Sequence, residues 1–166
     1  MANHRIWAPW RLDYVKSDKS GECIFCAKPA RDDDDEGLIA HRGERCFVIL
    51  NAFPYTNGHL MVSPYEHVGR IEQLDEATAN ELMSLAQRCV RALELAYGPQ
   101  GYNLGANLGS VAGAGVEHHV HMHVVPRWKG DTNFMPVVGD VRVLPEELGD
   151  TLRNIREAFA KLETGA

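Results

Sequence analysis

Long apolar runs are missing from this chain of 166 residues. No stretch approaches the roughly 18 apolar residues of a membrane span. The opening MANHRIWAPWRLDYVKSDKS mixes charges with aromatics and has no apolar core of signal-peptide length. These absences point to a cytoplasmic protein with no membrane partner. Positive charge is also short, with 17 Lys and Arg against 23 Asp and Glu and a net charge of -6. Proteins that hold a nucleic-acid backbone are usually basic, so nucleic acid is not the expected partner, although a nucleotide in a local pocket remains compatible. Four cysteines are too few for a disulfide scaffold. Internal repeats and low-complexity linkers are lacking as well. The length suits one domain over 1–166 with its own core, carrying an N-terminal arm over 1–22 and a C-terminal helical extension over 140–166.

What is present is concentrated in His119-Val120-His121-Met122-His123-Val124-Val125, closed by Pro126. Alternation with period two reads as a half-buried strand, so the imidazoles share one face and Val120, Met122 and Val124 the other. Three imidazoles fill a core poorly. They suit a site that needs nucleophiles, proton carriers or metal ligands.

Around this run the pattern alternates between short strands and longer helices. IWAPWR reads as an extended arm packing its aromatics on the body. Asp32 to Glu36 is a run of acids expected to form a solvated loop, without the spaced ligands of a calcium loop. Cys46–Leu50 and His59–Ser63 read as strands of a hairpin joined by NAFPYTNG, with Pro54 and Asn57-Gly58 as turn signals. Asp75 can cap a helix reaching about Tyr97 and stopped by Gly98-Pro99. Tyr102–Asn107 reads as a strand, Gly109–Gly115 as a glycine-rich loop, and Gly130–Gly139 as irregular. Pro145 opens a last helix with Leu148, Leu152, Ile155, Phe159 and Leu162 on one face. Antiparallel strands with helices on one side define an α+β fold. Cys46 and Cys89 stand alone as core residues or free thiols, and His4 and His41 sit in polar surroundings typical of the surface.

A neutral imidazole can attack phosphorus, provided one tautomer is fixed by a partner on its other nitrogen. Phosphate oxygens also need donors nearby. The glycine loop, including Gly113 and Gly115, could offer backbone N–H groups as an anion nest. Asn107, Ser110 and His123 are candidate side-chain donors. Trp128 suits stacking on a base or closing the core equally well. Arg127 and Lys129 would suit a polyphosphate tail, although exposed charges are usually only solvated.

HVHMHVV resembles, at every position, the signature of the histidine triad (HIT) family of nucleotidyl hydrolases and transferases, and LNAFPYTNGHLMVSPYEHV resembles that family's upstream hairpin. IWAPWR and PRWKGDTNFMPV resemble the branch that includes bacterial diadenosine tetraphosphate phosphorylases. The resemblance implies a HIT-like, mostly antiparallel sheet with one long helix and a C-terminal helix, paired across a two-fold axis in a homodimer. It implies that His121 is the nucleophile, that His123 binds phosphate or assists the leaving group, that Asn51 meets the ribose hydroxyls and that Asn107 meets the α-phosphate. His59 receives no catalytic role. One departure is in Ala112-Gly113-Ala114-Gly115-Val116, where many hydrolases of the family carry Ala-Gly-Gln-x-Val. Loss of that Gln weakens a water-using reading and leaves room for inorganic phosphate as acceptor.

Cys23-Ile24-Phe25-Cys26 lacks the βαβ setting of a redox motif. A structural zinc needs four N/S ligands, which His67 and the histidine strand could complete. The family resemblance implies the set Cys23, Cys26, His67 and His119. His118 competes, but alternation turns it to the other side of the sheet. A structural Zn2+ is thus the expected cofactor, with room for a divalent cation bound to the substrate's phosphates. The reaction implied is cleavage of a dinucleoside polyphosphate through a nucleotidyl-histidine, with phosphate or water as acceptor. Other readings are a hydrolase of nucleoside phosphoramidates or adenylyl sulfate, a nucleotide sensor without turnover, and a zinc-stabilised interaction protein.

Overall fold

A computed structural model describes residues 22–131 and 146–165. The arm over 1–21, with IWAPWR and His4, and the segment 132–145, with Pro145, lie outside the described residues. A short helix α1 (Ile24–Ala30) and a single turn α2 (Asp34–Gly37) precede strands β1 (Ile39–Arg42), β2 (Cys46–Leu50) and β3 (Leu60–Pro64). The long helix α3 (Glu76–Tyr97), strands β4 (Gly101–Gly105) and β5 (Met122–Arg127), and the C-terminal helix α4 (Leu148–Thr164) follow. The strands form one sheet in the order β1-β2-β3-β5-β4, and every pairing is antiparallel. The α+β expectation holds. Strand β1 escapes period-two reading because it is only four residues long.

Helix α3 begins where Asp75 accepts a hydrogen bond from the Thr78 amide at 2.7 Å, a side-chain cap on an otherwise orphaned donor. It ends at Gly98, whose φ of 55° suits glycine in the left-handed region. Its stripe of Leu82, Leu85, Cys89 and Leu93 packs on Val48, Leu50, Val62 and Val124 of the sheet and on Leu152, Ile155 and Phe159 of α4. Both long helices therefore cover one face. The opposite face is not bare, however: Phe25 of α1 packs there with Ile39, Phe47, Ile49 and Met61. Burying a phenyl ring of this kind contributes roughly 1.5–3 kcal/mol, and it fixes the CxxC segment to the sheet.

Two expectations from the sequence need correction. The acidic run is not a plain loop. Asp33 caps α2 by accepting from the Asp35 and Glu36 amides, and Asp34 pairs with Arg42 at 2.7 Å, Glu36 with Arg31 at 3.0 Å and Asp35 with Arg156. Neighbouring cations, from the end of α1, from β1 and from α4, offset the repulsion. His41 is likewise not a surface residue: its side chain is 16% exposed. It stacks on Phe159 at 4.8 Å with an 8° interplanar angle, and Arg88 donates to its Nε2 at 3.0 Å. A single polar residue on a short strand gives no periodic cue to such burial. No helix among the described residues is long and apolar enough to cross a membrane.

Candidate active site and metal cluster

The strand expected from His119 enters the sheet only at Met122, with His119 at a bend, because the β3 partnership reaches no further than Val62 opposite Met122. Two hydrogen bonds hold the upstream part. Val120 donates its amide to the Val68 carbonyl at 2.7 Å, and the buried Ser63 hydroxyl donates to the Val120 carbonyl at 3.1 Å. Alternation persists through this segment. Met122 and Val124 join the helix-side core, while His121 and His123 meet edge to face at 5.0 Å on the other side.

Backbone groups assign the tautomers. His121 Nδ1 lies 2.8 Å from the His119 carbonyl oxygen. A carbonyl only accepts, so Nδ1 carries the proton and Nε2 presents its lone pair. His121 is 5% exposed. Burial pulls its pKa below the ordinary histidine range, against the raising effect of the His119 carbonyl, so the ring is neutral near pH 7. Its neighbour has the opposite form. The Tyr55 amide donates to His59 Nδ1 at 3.1 Å, and His59 Nε2 lies 3.0 Å from His123 Nδ1. His59 thus donates from Nε2, His123 accepts at Nδ1, and His123 carries its proton on Nε2. One histidine offers a lone pair and the next an N–H.

His59, given no catalytic role by the sequence, is fully buried and lies against His123. Met61 pairs with His123 in the sheet, so alternation along β3 places His59 on the histidine face. That period-two signal from His59 through Met61 to Ser63 was available. Tyr55, whose ring lies 4.6 Å from that of His59, had no such signal because it stands in the hairpin loop. Asn51, at the loop's start, accepts from the Phe53 amide at 2.9 Å and has its Nδ2 3.3 Å from His59 Nδ1. On β4, Gly105 pairs with His123, and a Cβ there would meet nothing within 4 Å among the described residues.

The remaining candidates sit less tightly. Asn107, Gly115 and Trp128 are half-buried, whereas Ser110 and Gly113 are exposed. Gly113 adopts φ 86° after a single 3-10 turn over Ser110–Ala112. The amides of Ala112, Gly113 and Ala114 all donate to carbonyls within the loop, so these three do not form the anion nest expected from the glycine content. Arg127 is bound to Asp131 at 2.6 and 2.9 Å and to Asn103 at 2.7 Å, which opposes its use on a polyphosphate tail. His118 Nε2 lies 3.3 Å from a Glu117 carboxylate oxygen and is not among the clustered ligand atoms.

Cys23, Cys26, His67 and His119 do come together, with one ligand atom from each lying within 4.8 Å of the others. His119 Nδ1 is 3.4 Å from Cys23 Sγ and 3.5 Å from Cys26 Sγ, and His67 Nδ1 is 3.2 Å from Cys26 Sγ. Tetrahedral zinc with ordinary Zn–S and Zn–N bonds puts N and S about 3.6 Å apart. His119 donates Nε2–H to the Pro64 carbonyl at 2.9 Å, which leaves Nδ1 as the ligand and supplies the outer-shell bond usual for metal-bound histidine. Burial first, and then Cys23, push the Cys26 thiol up to about 11, so its sulfur ionises readily only beside a cation. The donor set fits a metal.

The lowered pKa values carry a stability prediction. His41 is held down by burial and then by Arg88, and His121 by burial. Their unfolded forms titrate near pH 6.5. Below about pH 6.5 the unfolded chain binds protons that the native rings refuse, so stability is full above that value and falls as the solution is acidified. Urea unfolding between pH 7.5 and 5 checks this, because most carboxylates titrate lower. A flat profile over that window would remove the inference.

An antiparallel sheet with alternating histidines of complementary tautomer, beside a Cys2His2 cluster, defines a histidine triad protein. The chain belongs to the HIT domain family, whose model matches residues 35–130. It is 38% identical over 169 residues to the AP-4-A phosphorylase of Mycobacterium tuberculosis, covering 95% of this chain and 85% of that protein. Among solved structures it is similar to a Zn-bound histidine triad family protein from Mycobacterium smegmatis, at 26% identity and TM-score 0.69, covering 87% of this chain and 98% of that one. A hypothetical histidine triad nucleotide-binding protein from Sulfolobus tokodaii superposes with TM-score 0.70 at 28% identity, covering 85% of this chain and 94% of that one.

Proposed function

We propose that the protein transfers a nucleotidyl group from a dinucleoside polyphosphate, such as diadenosine tetraphosphate, to inorganic phosphate through a nucleotidyl-histidine. The complementary tautomers of His121 and His123 carry this reading. The His121 Nε2 lone pair bonds to the α-phosphorus, and the P–O bond to the rest of the chain breaks. His123 donates its Nε2–H as a hydrogen bond to the bridging oxygen, where charge develops. ATP leaves as an anion and needs no added proton. Phosphate then attacks the same phosphorus, the N–P electrons return to the ring, and ADP is released. Asn51 at the ribose hydroxyls, Asn107 at the α-phosphate, Ser110, Gly113 and Gly115 around the acceptor and Trp128 against the base complete the proposed site.

Two observations favour phosphate over water. A phosphate dianion needs no base in order to attack, whereas water does, and His123 Nε2 already carries its proton. The relative at 38% identity is named a phosphorylase. The test is incubation with diadenosine tetraphosphate, with and without phosphate, followed by ion-exchange separation. ADP and ATP formed only with phosphate support phosphorolysis. AMP and ATP formed in both tubes make the protein a hydrolase, and no turnover in either shifts the substrate to phosphoramidates or adenylyl sulfate.

Zinc is the proposed ion for Cys23, Cys26, His67 and His119, since it accepts N and S ligands tetrahedrally. Bound there, it would clamp α1 to the start of the histidine segment. A second divalent cation would serve only to neutralise substrate phosphates. A homodimer is proposed through β4, which pairs only with β5 among the described residues. Leu104 is 47% and Leu108 42% exposed, an apolar edge suited to a second copy. Light scattering is expected to give twice the chain mass, and Leu104→Lys to lower it. A wild-type monomer at micromolar concentration would end this part of the reading.

A further inference from the structure

We propose that Phe25, held between the two cysteines of the metal cluster, is a positioning residue for the transfer. Its ring fixes the plane of the His121 imidazole and stabilises the positive charge that this imidazole acquires when Nε2 bonds to phosphorus. The proposal rests on the functional reading above and names a residue that reading does not use.

The geometry is specific. The Phe25 and His121 rings stack with centroids 4.6 Å apart and an interplanar angle of 25°. Phe25 also touches His119, at 5.4 Å and 44°. It is 1% exposed and packs with Ile39, Phe47, Ile49 and Met61, so its own position has little freedom. His121, by contrast, has a hydrogen bond to the His119 carbonyl at Nδ1, which leaves the ring able to tilt about that bond. A flat aromatic surface on one side, with the His123 edge at 81° on another, removes the tilt. Nε2 is then aimed before substrate arrives, which is where preorganisation lowers a barrier.

The electrostatic part follows from the step itself. His121 is neutral before attack. When its lone pair forms the N–P bond and the P–O bond breaks, the ring keeps its Nδ1 proton on the His119 carbonyl and becomes an imidazolium. An aromatic face attracts a cation far more than a neutral ring. The contact therefore strengthens in the transition state, as an interaction that raises the rate must. Aliphatic side chains of similar volume would fill the same space without this gain.

The test replaces Phe25 by phenylalanines carrying one to five fluorines. These nearly keep the shape and progressively withdraw π density. Two rates are read: single-turnover nucleotidylation of His121 with diadenosine tetraphosphate, and carbethoxylation of His121 by diethyl pyrocarbonate, located by peptide mass mapping. Metal content and melting temperature are followed in parallel. Both rates are expected to fall stepwise, by about tenfold across the series, with KM and metal content unchanged. Phe25→Tyr should keep the wild-type rates, and Phe25→Leu should match the most fluorinated form. Equal rates across the series, in proteins that retain the metal, would overturn the proposal. If fluorination costs the metal, the comparison of Phe25→Tyr with Phe25→Leu decides it, and equal rates overturn it there too. Carbethoxylation that falls along the series while wild-type His121 takes no nucleotidyl group would sink the functional reading and support the one for Phe25.

Discussion

Replacing His121 with alanine is expected to lower nucleotidyl transfer by about 10^4-fold or more, the scale seen when a covalent nucleophile is removed from its catalytic unit. No neighbour can substitute. His123 carries its proton on Nε2, because its Nδ1 accepts from His59. His119 donates Nε2–H to the Pro64 carbonyl and faces the cysteines with Nδ1. Of these three rings, His121 is the one whose Nε2 presents a lone pair. His121→Asn is the better-controlled variant, since its amide nitrogen takes the place of Nδ1 and can still donate to the His119 carbonyl. Intact-mass spectrometry after mixing with diadenosine tetraphosphate should show one nucleotidyl adduct on the wild type and none on either variant. His123→Ala should instead keep the adduct and slow its formation by about 10^2- to 10^3-fold, the usual cost of one lost donor to developing charge. Wild-type turnover that survives in His121→Asn would exclude covalent catalysis at this residue.

The second large effect concerns the cluster. Cys23→Ser is expected to lower metal content well below one per chain and to destabilise the protein by several kcal/mol. Structural zinc provides roughly 10–16 kcal/mol in zinc-finger peptides that have no core of their own. Less is at stake here because Phe25 still buries its ring against Phe47 and Met61. The loss should also reach the histidine segment. His119 joins the cluster through its side chain and holds His121 through its backbone carbonyl, so loosening one ligand loosens the nucleophile. Elemental analysis of the purified protein and a melting curve with and without a strong chelator check this. A protein that carries no metal as isolated, and whose melting temperature ignores the chelator, would refute the assignment.

Much of this molecule follows from local pattern. Period-two alternation places His121 and His123 on one face, whatever the rest of the chain does. The Asp75 cap and Gly98 stop bound α3 to within a residue, because both act through their own backbone neighbours. The hairpin of β2 and β3 could be read from two apolar runs around Asn57-Gly58. That Cys23, Cys26, His67 and His119 form one group was legible only by resemblance, since no local rule joins residues about a hundred positions apart.

Tertiary structure decided the rest, and for one physical reason. Tautomers, charge pairing and burial depend on which groups meet across the fold. Carbonyls of His119 and Pro64 and the amide of Tyr55 choose the proton positions on His121, His119 and His59. Arg42 and Arg156 turn an acidic run into a paired helical turn, and α4 buries His41. The sequence by itself determined that His121 and His123 share a face and where α3 starts and stops. Packing between elements distant in sequence decided which imidazole presents a lone pair, which presents an N–H, and which aromatic ring stacks on His121.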